Sequence, residues 1–148
     1  MRHKLFHSAL ILLVSYTISF GQAKTEDNTH KMAKLSVPMD SCFVQTLTYL
    51  QNHNYFIEAV DRASGFIRAK NYTKNNKVLS SQAGEKRTLT VLLRPSGNET
   101  VLSLNMYSET LKRGGNTTTL VYYYEDKGIV NEPAIYQNLI ADLTKEIQ

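Results

Sequence analysis

Apolar and polar positions along this chain change period several times, and each change marks an element. Phe43, Val44, Leu47 and Leu50 recur at three- and four-residue spacing, with Gln45, Thr48 and Gln51 off the stripe. That is the pattern of one apolar helix face. Asp40 and Ser41 are candidate N-caps, because either side-chain oxygen can accept from a first-turn N–H. Val37 is placed to staple the entry, and Pro38 biases Val37 to extended backbone. Asn52-His53-Asn54 is a helix stop, since Asn tolerates left-handed backbone. Tyr55 to Asp61 then alternates as a strand, Arg62-Ala63-Ser64-Gly65 is turn chemistry, and Phe66 to Tyr72 is the returning strand. Tyr55, Ile57 and Ala59, with Ile67 and Ala69, share the parity that can meet the helix, which leaves Glu58, Phe66, Arg68 and Lys70 for the other face.

Thr73 to Gly84 reads as a loop, with a short strand at Lys77–Ser80. The clearest alternation follows. Leu89, Val91 and Leu93 occupy one parity of Glu85 to Arg94. After the Pro95-Ser96-Gly97-Asn98 turn, Leu102, Leu104 and Met106 occupy one parity of Glu99 to Ser108, and Val101, Ser103, Asn105 and Tyr107 the other. This is a hairpin with one buried face. Glu109 to Asn116, containing Lys112-Arg113-Gly114-Gly115, reads as a connector. Thr117 to Glu125 is the last strand, ended by Asp126-Lys127-Gly128. Asn131 as N-cap and Pro133 in the first turn open a second amphipathic helix, with Ile135, Tyr136, Leu139, Ile140, Leu143 and Ile147 on its stripe and Lys145 near its end. Two greasy helices need one cover. The pattern predicts an α+β fold: a single antiparallel sheet of about five strands with the N- and C-terminal helices on one face, in order α-β-β-β-β-β-α.

Composition changes the picture mainly at the start. Residues 1–23 carry Arg2 and Lys4, an apolar run from Leu5 to Phe20, and small residues at Gly21-Gln22-Ala23, the features of a secretory signal peptide. The run is short for a membrane span. Lys24 to Ser36 is polar and aperiodic and reads as a flexible tether, so residues 37–148 are expected to be one folded domain. Removing residues 1–23 lowers the formal net charge from +4 to +2. So small and dispersed a charge does not point to nucleic acid. Cys42 is the one cysteine. A domain of this size folds without disulfides, and Cys42 beside the apolar stripe reads as a small buried hydrophobe.

Candidate chemistry is sparse. Cys42 and His53 lie about three helical turns apart, too far for a nucleophile–base pair. Two histidines and one cysteine at no close spacing do not make a metal site, and Lys112 to Gly115 lacks a phosphate-binding signature. Glu58 with Asp61, and Glu125 with Asp126, read as solvated charge. No catalytic, cofactor or metal residue is therefore expected. Asn71, Asn98 and Asn116 head glycosylation sequons; the bacterial style of the leader makes them turn and strand-edge residues here. The tyrosines are the remaining candidates. Tyr49, Tyr55, Tyr107, Tyr122, Tyr124 and Tyr136 could line a ligand pocket between sheet and helices.

The run NYFIEAVDRASGFIRAK, preceded by a helix and followed by NEPAIYQNLIADLTKEI, resembles the helix-on-sheet domains of bacterial outer-membrane assembly lipoproteins, the BamC-type, TBP-like module, and of many secreted proteins of Bacteroidetes-like bacteria. The resemblance covers roughly residues 38–148 and rests on core and turn positions. It implies a non-enzymatic scaffold or binding module. The chain departs from the lipoproteins in lacking an anchor cysteine at the cleavage point. The sequence reading is thus a periplasmic or secreted module that binds another envelope protein through its polar sheet face or a strand edge, without cofactor or nucleic acid. A small-ligand binder is the alternative.

Overall fold

The structure is a computed structural model, and it describes residues 28–77, 80–116 and 118–147. The expected signal peptide and two residues of the expected Lys77–Ser80 strand lie outside them. Described elements run in the order β1 (Met32–Leu35), α1 (Met39–Asn52), β2 (Phe56–Asp61), β3 (Phe66–Lys74), β4 (Gln82–Ser96), β5 (Glu99–Gly115), β6 (Leu120–Ile129) and α2 (Pro133–Ile147), with a 3-10 turn at Thr29–Lys31 ahead of β1. All pairings are antiparallel. The sheet order is β1-β5-β4-β3-β2, and β6 also pairs with β5. β5 is long enough for two neighbours on one edge: Thr100 to Ser103 pair with β1, and Tyr107 to Gly115 with β6.

The α+β architecture with both helices on one sheet face is as the periodicity predicts. Ile67 and Ala69 on β3, Leu89, Val91 and Leu93 on β4, and Leu102, Leu104 and Met106 on β5 are buried beneath the helices. Their register is consistent with one face, since Val91 lies opposite both Ile67 and Leu104. α2 buries Tyr136, Leu139, Leu143 and Ile147, and α1 and α2 pack against each other above the sheet.

Several expectations are corrected. The tether expected over residues 24–36 includes an ordered part. Thr29–Leu35 forms the 3-10 turn and β1, which gives the sheet a sixth strand, and Leu35 is fully buried. His30 meets the Tyr136 ring edge-on at 5.5 Å, and Thr100 Oγ1 donates to the Val37 carbonyl at 2.7 Å. These tertiary contacts order a stretch with no periodicity of its own. The α1 stripe is also rotated. Cys42, Phe43, Thr46, Tyr49 and Leu50 are buried, whereas Val44 is exposed. The spacing 42, 46, 49 is as helical as the spacing 43, 47, 50, and a buried threonine disguised it.

Asp40 and Ser41 do not cap α1. Pro38 holds the N-cap position without a side-chain bond, and Asp40 instead accepts from Arg62 Nε at 2.9 Å. α2 begins at Pro133, one residue beyond the expected start, and Asn131 Oδ1 accepts from Lys31 Nζ at 3.4 Å. Ala59 is not on the helix side. A bulge between Ile57 and Ala59 places it opposite Arg68 and brings Val60 opposite buried Ile67. Lys112 to Gly115 extends β5 rather than forming a connector, and Asp126 to Gly128 lies inside β6 at a bulge rather than ending it. Composition marks these residues as loop and breakers, whereas pairing with a long neighbour keeps them extended.

Two stops fall where expected. α1 closes with the His53 N–H donating to Tyr49 O at 3.0 Å, and Asn54 takes φ +60°. Gly65 takes φ +69° in the β2–β3 turn.

Candidate functional site

With both helices on one side, the opposite sheet face is uncovered. β4 presents Lys86, Thr88, Thr90 and Leu92 there, opposite Glu109, Tyr107, Asn105 and Ser103 of β5. β3 adds Arg68, Lys70 and Tyr72, and β2 adds Phe56 and Glu58. A concavity of about 470 Å³ runs over this face between Glu58 and Arg68 on one side and Tyr107, Glu109 and Ile129 on the other, floored by Thr88, Thr90 and Asn105. A second, of about 380 Å³, shares Thr90, Asn105 and Ile129 and continues past Leu92 and Ser103 to Lys31 and Met32. Together they form one trough along β4 and β5.

The carboxylates at its rim are paired. Glu58 meets Lys70 Nζ at 2.6 Å and Arg68 Nε at 3.9 Å, and Glu109 meets Lys86 Nζ at 2.5 Å. The Lys70 bond holds the Glu58 carboxyl below its usual range and raises the lysine in turn. Lys86 also sits 4.5 Å from the centre of the Tyr124 ring, and Lys70 5.2 Å from that of Phe56. Tyr107 donates to Asp126, which raises the tyrosine and lowers the acid. By contrast, Thr88, Thr90, Ser103 and Asn105 on the floor make no side-chain hydrogen bond to another described residue. The trough thus has a neutral floor of polar side chains and edges where basic groups outnumber acidic ones, with Glu58 between Lys70 and Arg68 and with Lys31 hydrogen-bonded to Asn131.

A third concavity, of about 430 Å³, lies on the helix side, where β4, β5 and β6 run past the helices. Glu85 Oε1 accepts there from Arg87 Nε at 2.8 Å and from Ser108 Oγ at 2.5 Å. Burial alone would raise the Glu85 pKa, but these two bonds outweigh it and hold the carboxyl below its usual value. Its ionised form is therefore favoured by folding. That contribution is full above the ordinary value near 4.5 and is lost as pH falls through the lowered folded value. Denaturant midpoints taken from about pH 6 down to about pH 3 should show wild type losing its advantage over Glu85→Gln as the acid titrates. A gap that stays constant over this range would contradict the assignment.

The six candidate tyrosines do not share one space, so they do not form the pocket expected between the layers. Tyr49 and Tyr136 are core residues. Tyr136 donates to Val130 O at 2.7 Å and accepts from the Met106 N–H at 3.1 Å. Tyr49 is stacked on His53 at 4.0 Å, and burial, with Asp142 nearby, pushes its pKa up to about 12. Tyr55 is half-buried at the α1–β2 junction. Tyr107 lines the trough on the opposite face. Tyr122 and Tyr124 lie on β6 with half their surface exposed. Aromatic identity does not report which face a residue takes; strand parity does. The floor residues Thr88, Thr90, Ser103 and Asn105 were legible as polar positions of the off-core parity, but nothing in their type singles them out.

Cys42 is buried beside Thr46, their Sγ and Oγ1 4.0 Å apart, and burial raises its pKa. His53 Nδ1 lies 2.8 Å from Tyr49 O, so its ring is held at the helix end. Among the described residues no group of three or more His, Cys, Asp and Glu could hold a metal ion, and no helix is long and apolar enough to cross a membrane. No protein-family model matches the chain, and a search of curated proteins returns no significant relative.

Proposed function

We propose that this protein is a non-catalytic binding module of the bacterial cell envelope, exported by its N-terminal leader, whose working surface is the sheet face left free by the helices. The observation that carries this reading is the trough floor. Thr88, Thr90, Ser103 and Asn105 make no side-chain hydrogen bond to another described residue, while each rim carboxylate is held by a lysine. The row is open to solvent in the free domain, and a partner's polar groups can take the place of that water. The trough is long, open and polar, which suits an extended segment of another protein better than a compact apolar ligand. The reactive candidates point the same way. Cys42 is sealed in the core with its thiol form favoured, and His53 is occupied at the end of α1.

The test is comparative capture from envelope extract of the native organism. Thr90→Arg places a bulky charge in the middle of the trough. Val44→Ser alters an exposed position on α1, on the other side of the molecule. Wild type and Val44→Ser should retain the same partner, and Thr90→Arg should lose it by about tenfold or more, the order expected for blocking an interface centre. Equal retention by all three, with circular dichroism unchanged, would remove the trough from the account.

A further inference from the structure

We propose that β6 pairs antiparallel with the β6 of a second copy of this chain, joining the two sheets edge to edge. The proposal concerns a different surface from the trough and stands without it. β6 is hydrogen-bonded to β5 on one side, and no described strand lies along its other edge. An exposed edge is a template for another strand, and proteins guard edges with charges, prolines or bulges. Here the guards are confined to the C-terminal half. Glu125, Asp126 and Lys127 are charged, and the bulge between Ser108 and Glu109 falls opposite Lys127. The N-terminal half, Leu120-Val121-Tyr122-Tyr123-Tyr124, has neither charge, proline nor bulge, and all five side chains are 46–60% exposed.

The run is its own complement. With a two-fold axis through Tyr122, Leu120 lies opposite Tyr124 of the second copy, Val121 opposite Tyr123, and Tyr122 opposite itself. Every exposed apolar residue then faces another. Glu125 and Asp126 then run past the turn that precedes Leu120, where Thr118 and Thr119 are bonded to Asn116, so no like charges meet. Moving the axis toward the charged half, to Tyr124, would set Asp126 against Tyr122 and Lys127 against Val121. The side chains are already supported from within the chain. Lys86 lies against the Tyr124 ring, and Tyr123 leans over Gly114, where a Cβ would come within 3.1 Å of its ring. Residues paired across antiparallel strands point to the same side, so the pairing is isologous and brings both open faces onto one side of a sheet of double width.

Sedimentation equilibrium of the purified exported chain tests this. Wild type should approach twice the chain mass as concentration rises, and Tyr122→Lys should stay at the chain mass with an unchanged far-ultraviolet spectrum. A cysteine at the axis meets its own copy at disulfide distance, whereas one at position 123 does not. Under mild oxidation Tyr122→Cys should therefore form covalent dimer about tenfold faster than Tyr123→Cys or wild type, whose only thiol is buried. A wild-type chain that remains at the chain mass overturns the proposal. So does a dimer that survives Tyr122→Lys and is not trapped by Tyr122→Cys. Were the wild-type chain monomeric and Tyr122→Lys to abolish capture of a different protein, the edge would belong to a foreign strand and the second copy would be excluded. Neither result bears on the trough, which Thr90→Arg tests separately.

Discussion

Gly65→Ala should cost about 3 kcal/mol of folding stability, read as a fall in denaturant midpoint at unchanged slope. Two effects combine. The residue sits at φ +69°, where a Cβ is disfavoured by roughly 1–2 kcal/mol. A Cβ there would also lie 2.1 Å from the Leu93 carbonyl oxygen and 3.0 Å from its carbonyl carbon. Met39 Cε, also at 3.0 Å, can swing away, but the Leu93 backbone cannot, because its N–H donates to Gly65 O at 2.9 Å. The β2–β3 turn is thus stitched to the middle of the sheet through a backbone that tolerates no side chain. Gly97 is the control. It has nearly the same angle, φ +64°, but nothing within 4 Å of an added Cβ. Gly97→Ala should cost only the conformational part, about 1 kcal/mol. Equal losses at the two positions would show that the Leu93 contact is not what requires glycine at 65.

Tyr136→Phe should cost about 2–4 kcal/mol, although it removes a single oxygen. That hydroxyl donates to Val130 O at 2.7 Å and accepts from the Met106 N–H at 3.1 Å, in a fully buried position. Phenylalanine keeps the ring and strands both backbone groups away from water, and each buried group without a partner costs about 1–3 kcal/mol. The two bonds tie α2 to β5 and to the segment that leaves β6, which the Val130 N–H also anchors through Met106 O at 2.9 Å. The amides of Met106 and Val130 should accordingly lose hydrogen-exchange protection together. A loss below about 0.5 kcal/mol, the range of ordinary surface substitutions, would mean that the hydroxyl is replaceable there.

Periodicity carried most of the architecture. The alternation of Leu89, Val91 and Leu93 against Leu102, Leu104 and Met106 fixed the central hairpin and its buried face, and the 3.6-residue spacing from Tyr136 to Ile147 fixed α2. What stayed hidden depends on pairing across long sequence separations. β1 is four residues whose order comes from Thr100 to Ser103, far along the chain. The bulge at Glu58 moves Ala59 off the helix side, and no local signal announces it. Gly114 and Gly115 look like a loop, yet they pair with Val121 and Leu120. The site was less legible than the fold. Tyrosines attract attention as binding residues, but Tyr49 and Tyr136 serve the core. The trough is floored by threonine, serine and asparagine, which make no side-chain hydrogen bond to another described residue. Only three-dimensional neighbours show that.

The sheet has one face covered by the helices and one free face, and alternation of chemical accessibility along β5 tests that most directly. Single cysteines at neighbouring positions would be labelled with a maleimide in the native state and again in denaturant. Asn105→Cys should react nearly as fast when folded as when unfolded, because Asn105 is exposed on the trough floor. Leu104→Cys, one residue away beneath the helices, should be protected along with native Cys42. Fast native labelling at 104 with protection at 105 would mean that the helices lie on the other face, and the trough would then be part of the core.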